Sequence, residues 1–304
     1  MADRQARIAR RKEIEGKLGL KAFELAQGYF SKKTPQGIEE AGEKLGGLLF
    51  KTLKKRRERA LSNLAMAMPE LSVSERESLC REVFRHYGRV TADFLTWGER
   101  SNDELLSQIT VEGKEHLDAA VAAGKGILVV SAHLGHWERL SFWLSVHGYK
   151  LTVVARDVRN SDLNQKVNSL RTRTGTIVLP RGGAARGILE AMRRNEIVAM
   201  LPDQSDDEVY VPFFGQPAGT AKGPGVIQVR TGATIVPTVC YYDGPGKYTL
   251  RFHPPVEGLD GFDSEATGVT AAVTAKIEEM IRERPEQWLW FHDRWKSARR
   301  RGLV

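Results

Sequence analysis

The chain has few cysteines and no long apolar run. Its 304 residues include two cysteines, Cys80 and Cys240, without CxxC spacing. This pattern excludes a disulfide framework and fits a reducing compartment. The longest uncharged stretch, 209–221, contains two prolines, and it is shorter than the roughly 20 apolar residues that a membrane-spanning helix needs. No apolar segment follows the basic N-terminus as in a signal peptide, so we expect a soluble or peripheral protein without a transmembrane helix.

Basic charge is concentrated at one end of the chain. Lys and Arg total 46 against 38 Asp plus Glu, a net charge of +8, and residues 1–59 hold 16 of the basic and 8 of the acidic residues. The remainder has no net charge, and the N-terminal excess predicts a local anionic partner. Nucleic acid is not expected, because no recognition fold and no interleaved aromatic residues accompany the charge.

Helical periodicity accompanies this charge over residues 4–30 and 36–57, with a turn at 31–35. In the second segment an apolar stripe lies opposite a set of lysines. The stripe consists of Ile38, Ala41, Leu45, Leu48, Leu49 and Leu53, and the lysines are Lys44, Lys51, Lys54 and Lys55. Such a basic amphipathic helix binds anionic bilayers, although the same stripe also suits packing on a core. We assign residues 1–60 to a membrane-association segment and residues 61–304 to the main domain.

Short apolar strands alternate with helices from residue 126 onward. The predicted strands are 126–132, 151–155, 176–179, 197–201, 234–242 and 248–253. The predicted helices are 74–97, 102–123, 137–147, 161–174, 184–194, 222–232 and a segment near 264–284. This alternation predicts an α/β fold with a mostly parallel central sheet flanked by helices.

His133 is the strongest candidate for chemistry. It lies between the strand 126–132 and the helix 137–147, and Glu138 comes five residues after it. Reactive groups in open α/β sheets lie at such strand ends. A neutral imidazole that is held by a carboxylate is a general base able to deprotonate a hydroxyl. The spacing also fits a histidine that caps a helix, with Glu138 on the solvent face.

Arginines follow the next two predicted strands. They are Arg156, Arg159, Arg171, Arg173, Arg181 and Arg186, with a Gly182-Gly183 turn in the last group. Guanidinium groups bind phosphate in bidentate fashion, and glycine turns let backbone N–H groups approach an anion. Each arginine alone also fits a solvated helix face, but the set predicts an anionic ligand.

Two further features follow the strand 197–201. Asp203 and Gln204 stand at its end, where they could orient a substrate hydroxyl or a basic neighbour. The apolar segment 209–215 either lines a pocket for a hydrocarbon chain or packs under the sheet. The sequence leaves both interpretations open.

Six segments carry a resemblance to a known family. They are 63–70 (NLAMAMPE), 131–138 (SAHLGHWE), 156–160, 200–204 (MLPDQ), 211–215 (VPFFG) and 285–296 (PEQWLWFHDRWK). Together they resemble the bacterial lipid A biosynthesis acyltransferases of the lauroyl/myristoyl type, within the wider glycerolipid acyltransferase superfamily. The resemblance implies that the domain 61–304 moves a fatty acyl chain from acyl carrier protein or coenzyme A to a hydroxyl of a membrane glycolipid.

The resemblance also implies roles for single residues. In that family the histidine of a His-x4-acid motif is the general base and the acid orients it, which assigns these roles to His133 and Glu138. A substrate-binding arginine is implied downstream, with Arg171 the best match and Arg173 and Arg156 as further candidates. Asp203 matches the polar position after the later strand, and with Gln204 it completes the predicted substrate-binding set.

The expected chemistry is direct attack of the hydroxyl on the thioester. His133 takes the proton, and backbone N–H groups or an arginine stabilise the oxyanion. No metal and no cofactor besides the thioester co-substrate is expected. A ternary complex is expected, because the chain has no GxSxG elbow that could form an acyl-enzyme.

Two alternatives remain at this point. One is a metal-dependent hydrolase that uses His133, His136 and Glu138. The other is a non-catalytic lipid-binding protein. For the acyltransferase we expect a peripheral location at the cytoplasmic face of the bacterial inner membrane, where the basic segment contacts anionic lipid or acyl carrier protein. Many family members instead begin with a transmembrane helix, so the acceptor lipid stays open.

Overall fold

The N-terminal part of the chain is helical in the computed structural model, which describes residues 19–155, 161–180, 182–259 and 266–304. Residues 19–30 form α1, and α2 (Pro35–Thr52), α3 (Lys54–Ala67) and α4 (Val73–Thr96) follow. Thr34 caps α2 by accepting a hydrogen bond from the N–H of Gly37, with Pro35 in the first turn. The helix predicted for residues 36–57 is interrupted at Leu53, which ends α2 and precedes α3.

Helix α2 packs on α4 through glycines. Gly42 and Gly46 of α2 face Gly88 of α4, and a Cβ atom on Gly42 would lie 2.7 Å from the Cα atom of Arg89. A Cβ atom on Gly46 would collide with the carbonyl oxygen of Phe84. The two backbones therefore touch without intervening side chains.

Most residues of the apolar stripe of 36–57 are buried or packed against the protein core. Ile38 is buried, and Ala41, Leu45 and Leu49 pack against buried clusters. By contrast, Leu48 is 56% exposed and Leu53 is 43% exposed. The stripe is therefore largely a core-facing surface, with two leucines left at its C-terminal end.

The rest of the chain builds a seven-stranded sheet with helices around it. The elements are α5 (Asn102–Leu106), β1 (Ile109–Glu112), α6 (Lys114–Ala122), β2 (Ile127–Val130), α7 (Trp137–Val146), β3 (Leu151–Ala155), α8 (Ser161–Thr172), β4 (Ile177–Pro180), α9 (Ala184–Arg193), β5 (Ile197–Met200), β6 (Val209–Phe213), β7 (Gln216–Thr220), α10 (Gly223–Thr231), β8 (Thr234–Gly244), β9 (Lys247–Phe252), α11 (Thr267–Glu283) and α12 (Lys296–Arg300). The strand order is β1-β9-β8-β2-β5-β3-β4, and every neighbouring pair is parallel except β8–β9. The predicted α/β fold with a mostly parallel sheet is confirmed.

The structure corrects one predicted helix, and it decides between the two interpretations that the sequence left open for 209–215. The helix predicted for 102–123 is divided into α5, β1 and α6, because β1 pairs with β9 at the sheet edge. The apolar segment 209–215 forms one arm of the antiparallel β6–β7 hairpin. Phe213 and Phe214 of this arm are buried against Trp288, Trp290 and Trp295, so the segment belongs to the core.

The register of β2 and β5 positions the site. Val130 of β2 pairs with Met200 of β5, and the N–H of Ser131 donates to the carbonyl oxygen of Met200. The chain therefore leaves both strands side by side at the carboxyl edge of the sheet, where α/β folds bind ligands. All four residues of β2 are buried, as expected for a central parallel strand.

Two other observations concern the predicted N-terminal segment. Over the described ranges, no helix combines the length and the apolar character needed to cross a bilayer. The assigned boundary at residue 60 falls inside α3, where Ala60 and Leu64 are buried in the same core cluster as Leu128 of β2.

Candidate active site

His133 and Asp203 meet where β2 and β5 end. Nδ1 of His133 lies 2.8 Å from Oδ1 of Asp203, and the backbone N–H of His133 donates to Oδ2 over 2.9 Å. Both residues stand three positions beyond the paired residues Val130 and Met200. The carboxylate therefore holds both the imidazole and the backbone of His133, which leaves Nε2 as the ring nitrogen that can meet a substrate.

Aromatic side chains donate hydrogen bonds to both members of this pair. Nε1 of Trp288 donates to Oδ2 of Asp203 over 2.9 Å. The buried hydroxyl of Tyr87 donates to the carbonyl oxygen of His133, which also accepts from the N–H of Leu289 over 3.2 Å. Asp203 is 3% exposed, whereas the His133 side chain is 24% exposed. The carboxylate of Asp203 is thus buried, whereas the imidazole of His133 is partly exposed to solvent.

The charges within the pair support each other. Burial by itself lowers the pKa of His133, but the charge and the hydrogen bond of Asp203 outweigh burial and raise that pKa above its ordinary value. Burial likewise raises the pKa of Asp203, but His133 and the Trp288 hydrogen bond outweigh it and lower that pKa to about 2. Asp203 is therefore a carboxylate at neutral pH, and His133 donates its Nδ1–H to it.

Glu138 does not hold His133, contrary to the expectation from the His-x4-acid spacing. Its carboxylate binds Arg171, whose Nε lies 3.1 and 3.0 Å from the two carboxylate oxygens. Nε1 of Trp137 donates to the same carboxylate over 3.1 Å. The physical reason is that Glu138 lies in the first turn of α7, and its side chain extends toward α8 rather than back along β2.

Glu138 and Arg171 nevertheless lie close enough to act on the dyad electrostatically. The charge of Glu138 raises the pKa of His133 and that of Arg171 lowers it, after the larger contributions of burial and Asp203. Arg171, the best-matched arginine of the predicted substrate set, is thus brought to the site as the partner of Glu138. The catalytic role of Glu138 and the substrate-binding role of Arg171 stay predictions.

Two of the other predicted arginines, Arg173 and Arg186, bind groups outside the dyad. Arg173 donates to the carbonyl oxygens of Trp97 and Arg100 and to Oδ1 of Asn102, none of which belongs to the dyad. Arg186 pairs with Glu190 in solvent. Arg156, Arg159 and Arg181 lie outside the described residues.

His136 belongs to a separate buried network. Its Nε2 lies 3.0 Å from Oδ2 of Asp93, and its ring stacks on Trp97 with an interplanar angle of 12°. Asp93 also accepts hydrogen bonds from Arg139 and Arg100. Burial lowers the pKa of His136, so this side chain is neutral and supports the loop behind His133.

This arrangement does not support the metal-dependent alternative. His133, His136 and Glu138 face three different partners, so they do not converge on one point. Within the part of the chain that the structure describes, no group of three or more His, Cys, Asp or Glu side chains could hold a metal ion.

An apolar cavity adjoins the dyad. Its volume is about 410 Å³, and its lining includes Phe23, Phe94, Leu95, Trp137, Leu163 and Val167. The ring of Trp137 connects the cavity to the site, because its centroid lies 5.2 Å from that of His133. The volume falls in the range of small-molecule pockets. The segment 209–215 does not line this cavity.

A basic surface lies where α2 meets α3. We define the α2–α3 corner as the exposed residues Leu48, Lys51, Leu53, Lys54, Lys55 and Arg56. Farther along α3, Asn63 donates to the carbonyl oxygens of Trp290 and His292, in the segment whose Leu289 N–H binds His133. The α2–α3 corner is therefore joined through α3 to the segment that contacts His133.

Sequence reasoning placed Asp203 at a strand end but missed its contact with His133. It gave no role to Tyr87, and it included Trp288 only in the family segment 285–296. One signal was available, since His133 and Asp203 follow their strands at the same distance. Nothing in the sequence could show that β2 and β5 are neighbours, because 66 residues separate Val130 from Ile197 in the chain.

Comparison with known proteins confirms the family resemblance. A family model described as bacterial lipid A biosynthesis acyltransferase matches residues 32–297. A phosphatidylinositol mannoside acyltransferase of Mycobacterium tuberculosis is 28% identical over 246 residues, which cover 78% of this chain and 77% of the relative. The lipid A biosynthesis lauroyltransferase of Escherichia coli is 28% identical over 272 residues, which cover 86% of this chain and 85% of the relative.

Proposed function

Because the chain belongs to the bacterial lipid A biosynthesis acyltransferase family and is therefore an enzyme that transfers acyl groups, we propose that it acylates a hydroxyl of a membrane glycolipid. The donor is a fatty acyl thioester of acyl carrier protein or coenzyme A. The acceptor is a lipid A precursor or a phosphoglycolipid, since relatives named for each class match the chain at similar identity. In this proposal the α/β sheet and its helices form a glycerolipid acyltransferase-like fold.

The observation that carries the proposal is the dyad of His133 and Asp203 beside an apolar cavity. Nε2 of His133 takes the proton of the acceptor hydroxyl as its oxygen attacks the thioester carbonyl carbon. Asp203 holds the imidazole tautomer and stabilises the imidazolium that forms. The imidazolium then returns the proton to the departing thiolate. Asp203 thereby takes the orienting role that the sequence had assigned to Glu138.

Glu138 and Arg171 take a supporting role in this proposal. The pair fixes the start of α7 against α8, which positions Trp137 between the dyad and the cavity. In this proposal Nη1 of Arg171, which does not bind Glu138, contacts an anionic acceptor headgroup or the phosphate of the donor. The acyl chain enters the cavity that Phe94, Leu95 and Trp137 help to line.

The α2–α3 corner brings the site to its lipid substrate. Its lysines attract anionic headgroups, and Leu48 and Leu53 enter the interface beside them. We place the enzyme at the cytoplasmic face of the bacterial inner membrane as a peripheral protein. In this sense the predicted segment 1–60 contributes membrane association, while the residues after it form the acyltransferase domain.

A direct assay tests the proposal. Purified protein receives labelled acyl carrier protein thioester or acyl-coenzyme A, together with a lipid A precursor or phosphatidylinositol mannoside in mixed micelles, and mass spectrometry identifies the product. We expect acyl transfer that His133→Ala abolishes and that His147→Ala, a change at an exposed histidine at the end of α7, preserves. Equal transfer by the His133→Ala variant would overturn the assignment and favour a binding protein.

A further inference from the structure

Gln204 places its carboxamide at the reactive nitrogen of the base. Its Nε2 lies 3.4 Å from Nε2 of His133, on the side of the ring away from Asp203. Because the Asp203 carboxylate accepts the proton of Nδ1, Nε2 of the imidazole carries a lone pair. The N–H side of the carboxamide must therefore face it, since the oxygen side has no proton to donate.

Several donors around the dyad are engaged with other protein groups. Backbone N–H groups bind protein acceptors at five positions that flank the imidazole, namely His133, Gly135, His136, Ser205 and Leu289. Arg171 directs Nε and Nη2 at Glu138. The amide of Gln204 differs from these donors, because its partner is the very atom that an incoming hydroxyl must reach.

We propose that the side-chain amide of Gln204 is the donor that stabilises the oxyanion of the acyl-transfer step. This inference rests on the proposed acyl transfer. An acceptor hydroxyl hydrogen-bonds to Nε2 of His133 at roughly 2.6–3.2 Å, and in doing so it displaces the amide from that nitrogen. The carbonyl oxygen of the thioester then lies two bonds from the attacking oxygen, within reach of the displaced amide.

The electrons and the proton balance through this step. The hydroxyl oxygen forms a bond to the thioester carbon, its proton moves to Nε2 of His133, and the carbonyl π pair becomes the oxyanion that Gln204 binds. Collapse restores the carbonyl, breaks the carbon–sulfur bond and transfers the proton from the imidazolium to the thiolate. Gln204 donates hydrogen bonds throughout and is not itself changed.

Three substitutions test the inference. Gln204→Met keeps the length of the side chain without the donor, and we expect kcat to fall about 10²–10³-fold with KM unchanged, as for loss of one oxyanion donor. Gln204→Glu places a carboxylate at Nε2, so it lowers kcat and also moves the acid limb of the pH profile to higher pH. Gln204→Asn, which retains a shorter amide, is expected to retain more kcat than Gln204→Met.

The control is Gln36→Met, because Gln36 is exposed on α2 and pairs with Glu40. Thermal unfolding of each variant establishes that it is folded. If Gln204→Met does not fold, Gln204→Asn, which keeps a polar side chain, replaces it in the comparison of kcat. Unchanged kcat, or a rise in KM alone, in a folded Gln204→Met variant overturns the inference while His133-dependent transfer stands. Absence of acyl transfer by the unsubstituted enzyme would overturn the proposed function and this inference with it.

Discussion

Asp203 holds Nδ1 of His133 at 2.8 Å and the backbone N–H of the same residue at 2.9 Å. One carboxylate therefore sets both the rotation of the imidazole ring and the position of the chain that carries it. Glu138 supplies neither contact, so the two carboxylates differ in what their removal does to catalysis.

Asp203→Asn is expected to lower kcat about 10³–10⁴-fold, because an amide can stabilise the wrong imidazole tautomer and cannot stabilise the imidazolium. Steady-state acyl transfer measures the effect. Asp207→Asn, an exposed change four residues further on, is the matched control and is expected to leave kcat unchanged. A kcat near that of the unsubstituted enzyme, together with loss of transfer in Glu138→Gln, would return the orienting role to Glu138.

The pH dependence follows from the raised pKa of His133. The base acts when it is unprotonated, so kcat/KM rises with pH through a pKa above the ordinary histidine value of about 6.5. In Asp203→Asn the favourable charge is lost while burial remains, so this pKa falls and the rising limb moves to lower pH. Profiles of kcat/KM across roughly pH 5 to 8 check both. A limb that stays in place in the variant contradicts the coupling.

The Glu138–Arg171 pair is expected to contribute to stability through coupling. Glu138→Gln and Arg171→Met each leave a partly buried charge without its partner and lower the free energy of unfolding by about 1–3 kcal/mol. The double variant should lose less than the sum of the two. Urea unfolding gives all three values. The exposed Lys114–Asp118 pair is the control, with an expected coupling below about 1 kcal/mol. Strict additivity at Glu138 and Arg171 would argue against a direct interaction.

Gly46→Ala tests the backbone contact between α2 and α4. Its Cβ atom would meet the carbonyl oxygen of Phe84, so α2 must shift, and we expect a loss of about 1–3 kcal/mol of unfolding free energy. Gly47→Ala has no atom within 4 Å of its Cβ position, and it should stabilise the helix by up to about 1 kcal/mol. Thermal or urea unfolding compares the two. Equal stability of both variants would show that the helices are not in close contact.

Neutralising the α2–α3 corner is expected to weaken membrane binding. Three lysine-to-glutamine changes at Lys51, Lys54 and Lys55 remove about 1 kcal/mol each, so binding to anionic vesicles should fall on the order of a hundredfold. Co-sedimentation with anionic and neutral vesicles over a salt series measures the effect.

The matched control lies at the opposite edge of the sheet. Lys125, Arg193 and Arg230 precede β2, β5 and β8 at the amino ends of these strands and line a separate groove. Their change to glutamine removes the same charge from the far side of the protein. Equal loss of vesicle binding in both triple variants would show that net charge, rather than the α2–α3 corner, governs the attachment.

The sequence predicted that His133 and Asp203 lie at strand ends, but it did not predict that they contact each other. The apolar runs of β2 and β5 located the strand ends, and thereby placed His133 and Asp203 at the functional edge. The order of strands depends on how crossover helices pack on the sheet, and periodicity along one strand contains no information about that order. The His-x4-acid spacing and the family resemblance both favour Glu138, but the turn into α7 directs its side chain to Arg171.

The N-terminal helices show the same limit. Periodicity predicted the apolar stripe of α2, yet a stripe that packs on a protein and one that packs on lipid have the same pattern. In the structure the stripe packs on protein, because Gly42 and Gly46 leave room for the backbone of α4. The exposed remainder, Leu48 and Leu53 among lysines, could be recognised only once the buried part was known.

The distance along the chain between the two members of the dyad has a consequence for folding. His133 and Asp203 are 70 residues apart, and β3 and β4 with their crossover helices lie between them in sequence. A chain that has formed its helices and its local hairpins therefore still has no working base until β5 docks beside β2. Such non-local pairing is slow compared with local structure. Recovery of acyl transfer during refolding would thus report completion of the sheet, later than the recovery of helical circular dichroism.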